Sequence, residues 1–383
     1  MLNVGVIGIG NCGNQVAKKA MEELGCDVLA LNSSINDLST LPDTIPQICL
    51  GDEKGAGKNR LEAKKFLKAS VLKMIEEEAF KTFMNEKDII FIVSSTGGGT
   101  GSGMAPVLSK FIRQSFHDVD GKEKVVVLVG VLPKLSEAYT TQVNTLEYLT
   151  ELTENLDDPT YMMYDNDRLS KEPTHVMMNT INSDIVQDIK VLSGYYNTST
   201  PFSSIDEKDM KMLVQTQGRL FIASLRDVKE KDIDDKTLEE MLVDQVKRNS
   251  HAEIDRNQVV TRTGIITNLN EALNNQFDTH LTEVQKFIGS PVEEFEHIVI
   301  NEERSIDNNV FLIMAGLSSI NDRINKVKDR IDEIEELQKN RESENALDGI
   351  DLESMNAKRN YRSENTDDTK KPDLADIFSG FGV

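Results

Sequence analysis

Short apolar runs alternate with helix-like segments through the first half of the chain. The runs VGVIGI, DVLALN, DIIFIVSS and KVVVLVGVL are almost continuously apolar, and they are separated by helical stretches such as CGNQVAKKAMEEL and RLEAKKFLKASVLKMIEEEAFKTFM. Strands of this kind are buried on both faces, which is typical of a parallel sheet covered by helices. We therefore predict a doubly wound α/β domain, in which ligands bind at the carboxyl ends of the strands.

The second half of the chain has a different pattern. The stretch from Pro173 to Tyr196 predicts one long helix, and the later runs RLFIASL, VVTRTGIITN, FEHIVIN and NVFLIMAGL predict a smaller mixed α/β domain. Helical spacing of apolar residues from Ser319 to Asn340 predicts a long amphipathic helix with one docking face. The last segment is polar and charged, and we expect it to be a flexible tail. The predicted divisions are residues 1–172, 173–214, 215–318, 319–341 and 342–383.

Composition narrows the class of protein. A chain of 383 residues exceeds the roughly 250–300 residues of one core, so two domains are expected. A formal charge of -22 argues against direct binding of nucleic acid, which needs clustered Lys and Arg. The N-terminal run lacks the basic flank and the cleavage site of a signal peptide, and no apolar run reaches the roughly 20 residues that span a membrane, so we expect neither element. The three cysteines have no metal-binding spacing, so we expect a cytoplasmic protein in a reducing compartment.

The strongest motif is SSTGGGTGSG, from Ser94 to Gly103, between a predicted strand and a predicted helix. Successive glycines let backbone N–H groups converge on an anion, and the positive end of the following helix points to the same place. A merely flexible glycine loop would not require interleaved Ser and Thr at this position. The motif therefore predicts a phosphate cradle.

Two further loops are weaker signals on their own. Gly8, Gly10 and Gly13 form the G-x-G-x-x-G fingerprint of dinucleotide-binding proteins. However, the next strand ends in Asn32 and Ser33 instead of an acidic residue, which argues against a nicotinamide cofactor. The third loop, GDEKGAGKN, lacks the spacing and the Ser or Thr of a Walker loop, so we reject that assignment. Alone, it could be a solvated turn.

Taken together, the three loops resemble those of the tubulin/FtsZ family. STGGGTGSG resembles the signature of tubulins and FtsZ, GNCGNQ resembles the first nucleotide loop of tubulin, and GAGKN resembles the third loop of FtsZ, in the same order. The resemblance implies a tubulin/FtsZ fold that binds GTP or GDP, with Mg²⁺ held through the phosphates and no protein ligand assigned to it. The residues that it places around the nucleotide are Gly10, Asn11, Cys12, Gln15, Asn32, Ser33, Gly57, Lys58, Gly97, Gly98, Gly99, Thr100, Gly101, Ser102 and Gly103.

The resemblance also implies contacts on the other side of the nucleotide. Pro133 and Glu137 would lie on the ribose side, and Asn166 would meet the guanine edge, together with Asn179 or Asn182 of the long helix. A base edge needs a group that both donates and accepts, which an amide supplies. Asn179 and Asn182 could equally be ordinary polar positions of that helix.

Asp206 and Asp209 resemble the two acidic residues of the family's catalytic loop, which acts on the nucleotide of the neighbouring subunit. Two carboxylates three residues apart at the start of a helix can face one way and position a water. Alternatively, Asp206 only caps the helix and Asp209 is solvated. Ser204 stands where the family usually has Asn, and Glu137 lacks the Arg that FtsZ favours after it. These departures argue against a bacterial cell-division FtsZ.

Within the family, the long last helix and charged tail are most similar to the TubZ proteins of plasmid and phage partition. In those proteins such a helix packs on the neighbouring subunit, and the tail engages a DNA-bound TubR-like adaptor. The resemblance implies a GTPase that assembles head to tail, with indirect contact to DNA and none to a membrane. Two alternatives stay open: an FtsZ-like division protein, and a nucleotide-binding, filament-associated protein without turnover.

Overall fold

The computed structural model describes residues 2–344 and residue 380, except for 52–53, 118–123, 155, 157–158, 195–199, 201–202, 256–257 and 302–306. Almost all of the predicted tail, residues 342–383, therefore lies outside the described residues. Within the described ranges no helix is long and apolar enough to cross a membrane.

Within the same ranges, ten strands form one sheet. Their bounds are β1 (Val4–Ile9), β2 (Asp27–Asn32), β3 (Gln47–Cys49), β4 (Ile89–Ser95), β5 (Val125–Leu132), β6 (Thr160–Asp165), β7 (Gly218–Leu225), β8 (Val260–Asn270), β9 (Pro291–Asn301) and β10 (Asn309–Leu317).

The described α-helices pack on both faces of this sheet. They are α1 (Gly10–Leu24), α2 (Ile35–Leu38), α3 (Arg60–Glu76), α4 (Glu78–Glu86), α5 (Thr100–Ser115), α6 (Tyr139–Glu154), α7 (Thr174–Gly194), α8 (Glu207–Gln215), α9 (Leu238–Arg248), α10 (Glu271–Asn274), α11 (Thr282–Ile288) and α12 (Asn321–Glu344).

The strand order is β3-β2-β1-β4-β5-β6-β7-β10-β8-β9, and neighbours from β3 to β7 are parallel. Every residue of β1, β5 and β6 is buried, as expected for strands covered on both sides. Neighbours such as Val6 and Ile7 enter two different apolar clusters, one on each face. The predicted doubly wound sheet is confirmed, and its order reverses between β1 and β4.

The second half of the chain extends the same sheet. β7 pairs with β6 through Gly218 and Arg219, which lie opposite Thr160 and Tyr161. β10 then pairs antiparallel with both β7 and β8, and β9 runs parallel to β8 at the edge. The four strands predicted for this half are confirmed, whereas the domain boundaries stay a prediction because one sheet runs through both halves.

The prediction of one long helix between residues 60 and 84 is wrong in one respect, because the segment forms two helices, α3 and α4. Glu77 adopts an extended conformation between α3 and α4, with ψ at 130°. In an unbroken helix Phe83 would point about 180° away from Met74, nine residues earlier at 100° per residue. The break lets both side chains be buried in the same cluster.

The predicted amphipathic helix is present as α12, and its apolar face docks within its own chain. α12 packs against α6, with Ile320, Val327 and Ile331 buried. Leu337, further along the same helix, is 59% exposed. The resemblance instead implied that this helix packs on a neighbouring subunit, which would have to use its exposed surface.

Candidate functional site

The two best-defined glycine loops meet where the strand order reverses. The first follows β1 and opens α1, and the second follows β4 and opens α5. A methyl group on Gly101 would lie 2.8 Å from Ile9 O, so the second loop lies directly on the end of β1. Both helices aim their N-terminal N–H groups at this crevice, which is where an open α/β sheet binds ligands.

The third loop closes the same crevice. A methyl group on Gly99 would lie 2.8–2.9 Å from the backbone atoms of Lys58. Lys58 itself has a positive φ of 62°, and the side chain of Asn59 caps α3 by accepting from Glu62 N. The exposed side chain of Lys58 can therefore reach an anion beside the second loop.

Asn144, on the buried side of α6, ties these two loops together. Its Nδ2 atom donates to Lys58 O at 3.0 Å and to Gly97 O and Gly98 O, each at 3.1 Å. One amide of α6 thus holds the carbonyl groups of both loops. Asn144 was not among the residues predicted from the sequence; Thr141, Gln142 and Thr145 of the same helix are polar and buried as well.

A buried network of charged groups fixes the start of α3 against α5. Arg60, at the start of α3, donates to Ser102 O at 2.9 Å and binds Glu147 and Glu151 of α6 at 3.0 and 2.7 Å. Lys64 binds the other oxygen of Glu151, and burial lowers the pKa of Lys64 while Glu151 opposes that shift. Because a buried ion pair is costly to break, the network holds the second loop rigidly.

The end of β2 lies beside the start of α5. Ser33 is fully buried, and its Oγ lies 2.7 Å from Thr100 Oγ1 at the start of α5. Asn32 is also buried and donates to Asp37 at 3.4 Å, while its Oδ1 accepts from Ser34 N. These contacts position the β2 loop beside the phosphate loops.

Three residues at the start of α1 have different exposures. Asn11 is exposed, while Cys12 and Gln15 are half-buried. Burial raises the pKa of Cys12 to about 12, so its thiol is neutral near pH 7 and is a poor nucleophile.

The predicted ribose and base residues form a second group of loops. Pro133 follows β5 and Asn166 follows β6, the next strand of the sheet. The Glu137 side chain accepts from Lys134 N at 2.9 Å, and Asp167 accepts from Leu135 N at 3.2 Å, which joins the two loops. Asn166 Oδ1 is buried and has no hydrogen-bond partner within the described residues.

The long central helix, predicted from Pro173 to Tyr196, is present as α7. It packs against α1 and against the short 3₁₀ helix Asn166–Leu169. Asn182 is half-buried and Asn179 is exposed, with its carbonyl accepting from Ser183. Which of the two faces the base stays a prediction.

The predicted catalytic pair lies at a separate place in the fold. Asp206 accepts from Lys208 N and Asp209 N at 2.8 and 2.9 Å, and Asp209 accepts from Asp206 N at 3.1 Å. This is a capping box at the start of α8, which was the alternative interpretation of these residues. The segment before α8 is held to the edge strand β9, where Ile205 N donates to His297 Nδ1. Asp206 is exposed and Asp209 is half-buried, and within the described residues neither is hydrogen-bonded to the three glycine loops.

Comparisons with known proteins support the family resemblance. Residues 3–172 match the model of the tubulin/FtsZ family GTPase domain. The tubulin-like protein CetZ of Pyrococcus horikoshii is 27% identical over 221 residues, which are 56% of this chain and 58% of that protein. The sequence match thus spans less than two thirds of this relative.

Solved structures show the same fold across most of the chain. The GTPγS-form protofilament of TubZ from Bacillus thuringiensis serovar israelensis has a TM-score of 0.70 at 18% identity, covering 88% of this chain and 94% of that one. The GTPγS-bound protofilament of CetZ2 from Haloferax volcanii has a TM-score of 0.67 at 17% identity, covering 87% and 100%. The predicted tubulin/FtsZ fold is therefore confirmed, whereas special similarity to TubZ stays a prediction.

Proposed function

We propose that this chain binds GTP at the crevice between β1 and β4 and hydrolyses it within a head-to-tail filament. The observation that carries the proposal is the contact of three glycine loops at one point, closed by the amide of Asn144. The match of residues 3–172 to a GTPase domain supports the same assignment.

The donors at the crevice fit a triphosphate. Backbone N–H groups at the starts of α1 and α5, the hydroxyl of Thr100 and the ammonium group of Lys58 are suited to phosphate oxygens. Mg²⁺ bound through the phosphates would neutralise charge that develops during hydrolysis. On the base side, the unsatisfied Oδ1 of Asn166 is a buried acceptor that could receive a donor from guanine.

The position of the acidic pair supports hydrolysis between subunits. Asp206 and Asp209 each use one carboxylate oxygen in the capping box, and the other oxygen can orient a water or hold a cation. Within the described part of the chain the pair has no hydrogen bond to the loops, so a second copy would bring it to the γ-phosphate. Contact between two different surfaces of identical subunits does not close, and it produces a filament.

Charge-neutral variants test this arrangement without damaging the helix. Asn is as good an N-cap as Asp at position 206, and an amide oxygen at position 209 can still accept from the backbone N–H of residue 206. Asp206→Asn and Asp209→Asn therefore remove the charges while α8 keeps its cap. We expect both variants to bind GTP as the wild type does, and to form longer-lived filaments. Phosphate release should fall by about tenfold or more, as expected when a water-positioning carboxylate is lost.

The matched control is Glu207→Gln, which removes a carboxylate from the same turn of α8. It should leave GTP binding and phosphate release near the wild-type values. Unchanged phosphate release in both aspartate variants would remove the pair from catalysis. GTP binding without any phosphate release by the wild type would favour the filament-associated alternative.

We further propose, at a finer level, that the filament moves DNA through a basic adaptor bound to the tail. The charge of -22 supports an indirect contact to DNA, and the fold is shared with TubZ. Sequence similarity to CetZ does not support this cargo. Removal of residues 345–383 should leave GTP turnover intact and abolish binding to such an adaptor, which a pull-down would measure.

A further inference from the structure

A single arginine of the last helix reaches the base and ribose loops of the proposed nucleotide site. Arg323 lies in the first turn of α12 and is 5% exposed. Its Nε and Nη2 atoms bind the two carboxylate oxygens of Asp165 at 2.7 and 3.1 Å. Nη2 also donates to Pro133 O at 2.6 Å. The guanidinium group thus contacts the loops after β5 and β6 at once.

Both partners of Arg323 hold residues that belong to the proposed site. Asp165 Oδ1 accepts from Asp167 N at 3.0 Å and so caps the 3₁₀ helix that begins with Asn166. Asp167 in turn accepts from Leu135 N, two residues after Pro133. Arg323 is therefore the branch point of a network that fixes the base loop relative to the ribose loop.

The body of α12 is anchored to the same region. α12 packs against α6, the helix that follows the Pro133 loop, and Val327 and Ile331 of α12 are buried. The Tyr139 hydroxyl, at the start of α6, donates to Glu335 at 2.8 Å. Movement of α12 away from α6 would therefore withdraw Arg323 from both loops.

We propose that Arg323 is a positioning residue for the base side of the nucleotide site, and that it couples docking of α12 to nucleotide binding. The inference rests on the proposed function, because it takes Pro133 and Asn166 as neighbours of the nucleotide. Coupling between two sites is reciprocal. A bound nucleotide therefore holds α12 in its docked position, and any partner that pulls α12 away weakens nucleotide binding.

The test uses the full chain with three substitutions. Arg323→Met removes all three hydrogen bonds, and Arg323→Lys keeps the charge but loses the two-pronged contact with Asp165. Arg330→Met is the matched control, since Arg330 lies on the same helix and its described ion pair is with Glu333, three residues further along α12. Affinities for GDP and GTP are measured by calorimetry, and amide hydrogen exchange is followed with and without GDP.

We expect Arg323→Met to weaken the binding of GDP and of GTP by the same factor, about tenfold, as is typical of coupled sites. Loss of a phosphate contact would instead change the ratio of the two affinities. Arg323→Lys should fall between this variant and the wild type, and Arg330→Met should match the wild type. GDP should slow amide exchange in α12 of the wild type and leave it unchanged in Arg323→Met.

Affinities within twofold of the wild type in Arg323→Met, or equal protection of α12 by GDP in both proteins, would overturn the coupling. Without nucleotide, faster exchange of residues 134–137 and 166–169 in Arg323→Met tests the positioning role alone, and unchanged exchange there would overturn it. A wild type that binds no guanine nucleotide would overturn the proposed function and the coupling, while the exchange result still decides positioning. If Arg323→Met does not fold, Tyr139→Phe replaces it, because this variant loses the hydrogen bond to Glu335 of α12 at a distance from the two loops. It should weaken the binding of GDP in the same way.

Discussion

The clearest single perturbation of the phosphate cradle is Asn144→Asp. The amide Nδ2 atom lies 3.0–3.1 Å from three carbonyl oxygens, and the residue is 5% exposed. Asn144→Ala removes the two N–H donors, which at about 1 kcal/mol for each net hydrogen bond lowers the free energy of unfolding by about 2 kcal/mol. Asn144→Asp also replaces the donor by a buried acceptor that faces three oxygens, so we expect at least about 1 kcal/mol of further loss.

The donor role of Asn144 is tested by the order of the free energies of unfolding of the wild type and the two variants. Unfolding by urea without nucleotide should rank the wild type first, Asn144→Ala second and Asn144→Asp last. Thr150→Ala is the control on the same helix, because Thr150 is exposed and its hydroxyl donates to Leu146 O within α6. GTP should bind about tenfold more weakly to Asn144→Ala, equal to about 1.4 kcal/mol. An Asn144→Asp variant as stable as Asn144→Ala would refute the donor role.

Close packing at Gly99 and burial of the Cys12 thiol have further measurable consequences. Gly99→Ala should lower the free energy of unfolding, because the added methyl group would collide with the backbone of Lys58. Gly98→Ala is the control, since no atom lies within 4 Å of its added methyl group, and it should leave the free energy of unfolding unchanged. Urea unfolding without nucleotide compares the two variants. Burial raises the pKa of Cys12 from 9.0 to about 12, so at pH 8 its thiolate fraction is roughly a thousandfold lower than in the unfolded chain. Iodoacetamide should then label Cys12 far more slowly in the native protein than in urea. Rapid labelling of the native protein at pH 8 would contradict the raised pKa of Cys12. Because the pKa of Cys12 is higher in the folded than in the unfolded chain, its contribution to the free energy of unfolding is complete below pH 9 and is lost as the pH rises towards 12.

The sequence predicted the parts of this fold that depend on local pattern. Continuous apolar runs identified β1, β2, β4 and β5, and the glycine loops that follow β1 and β4 do meet at the reversal of strand order. The break at Glu77 was missed because periodicity alone does not show where a helix must restart to bury Phe83.

The missed site residues depend on contacts between distant parts of the chain. Asn144 meets Lys58 across 86 positions, and Arg323 meets Pro133 across 190. A single sequence does not show which helix will lie beside which loop. The acidic pair was identified only through the resemblance, since Asp206 and Asp209 look locally like an ordinary helix cap.

GTP hydrolysis within a head-to-tail filament is tested most directly by measuring light scattering and phosphate release together. The protein concentration is increased in the presence of Mg²⁺ with GTP, GDP or ATP. A rise in scattering with GTP alone, and phosphate release that begins only above a critical concentration, is the predicted result because the proposed active site needs two subunits. Phosphate release that is proportional to protein concentration without any scattering, or an equal response to ATP, would contradict a GTPase completed by a neighbouring copy.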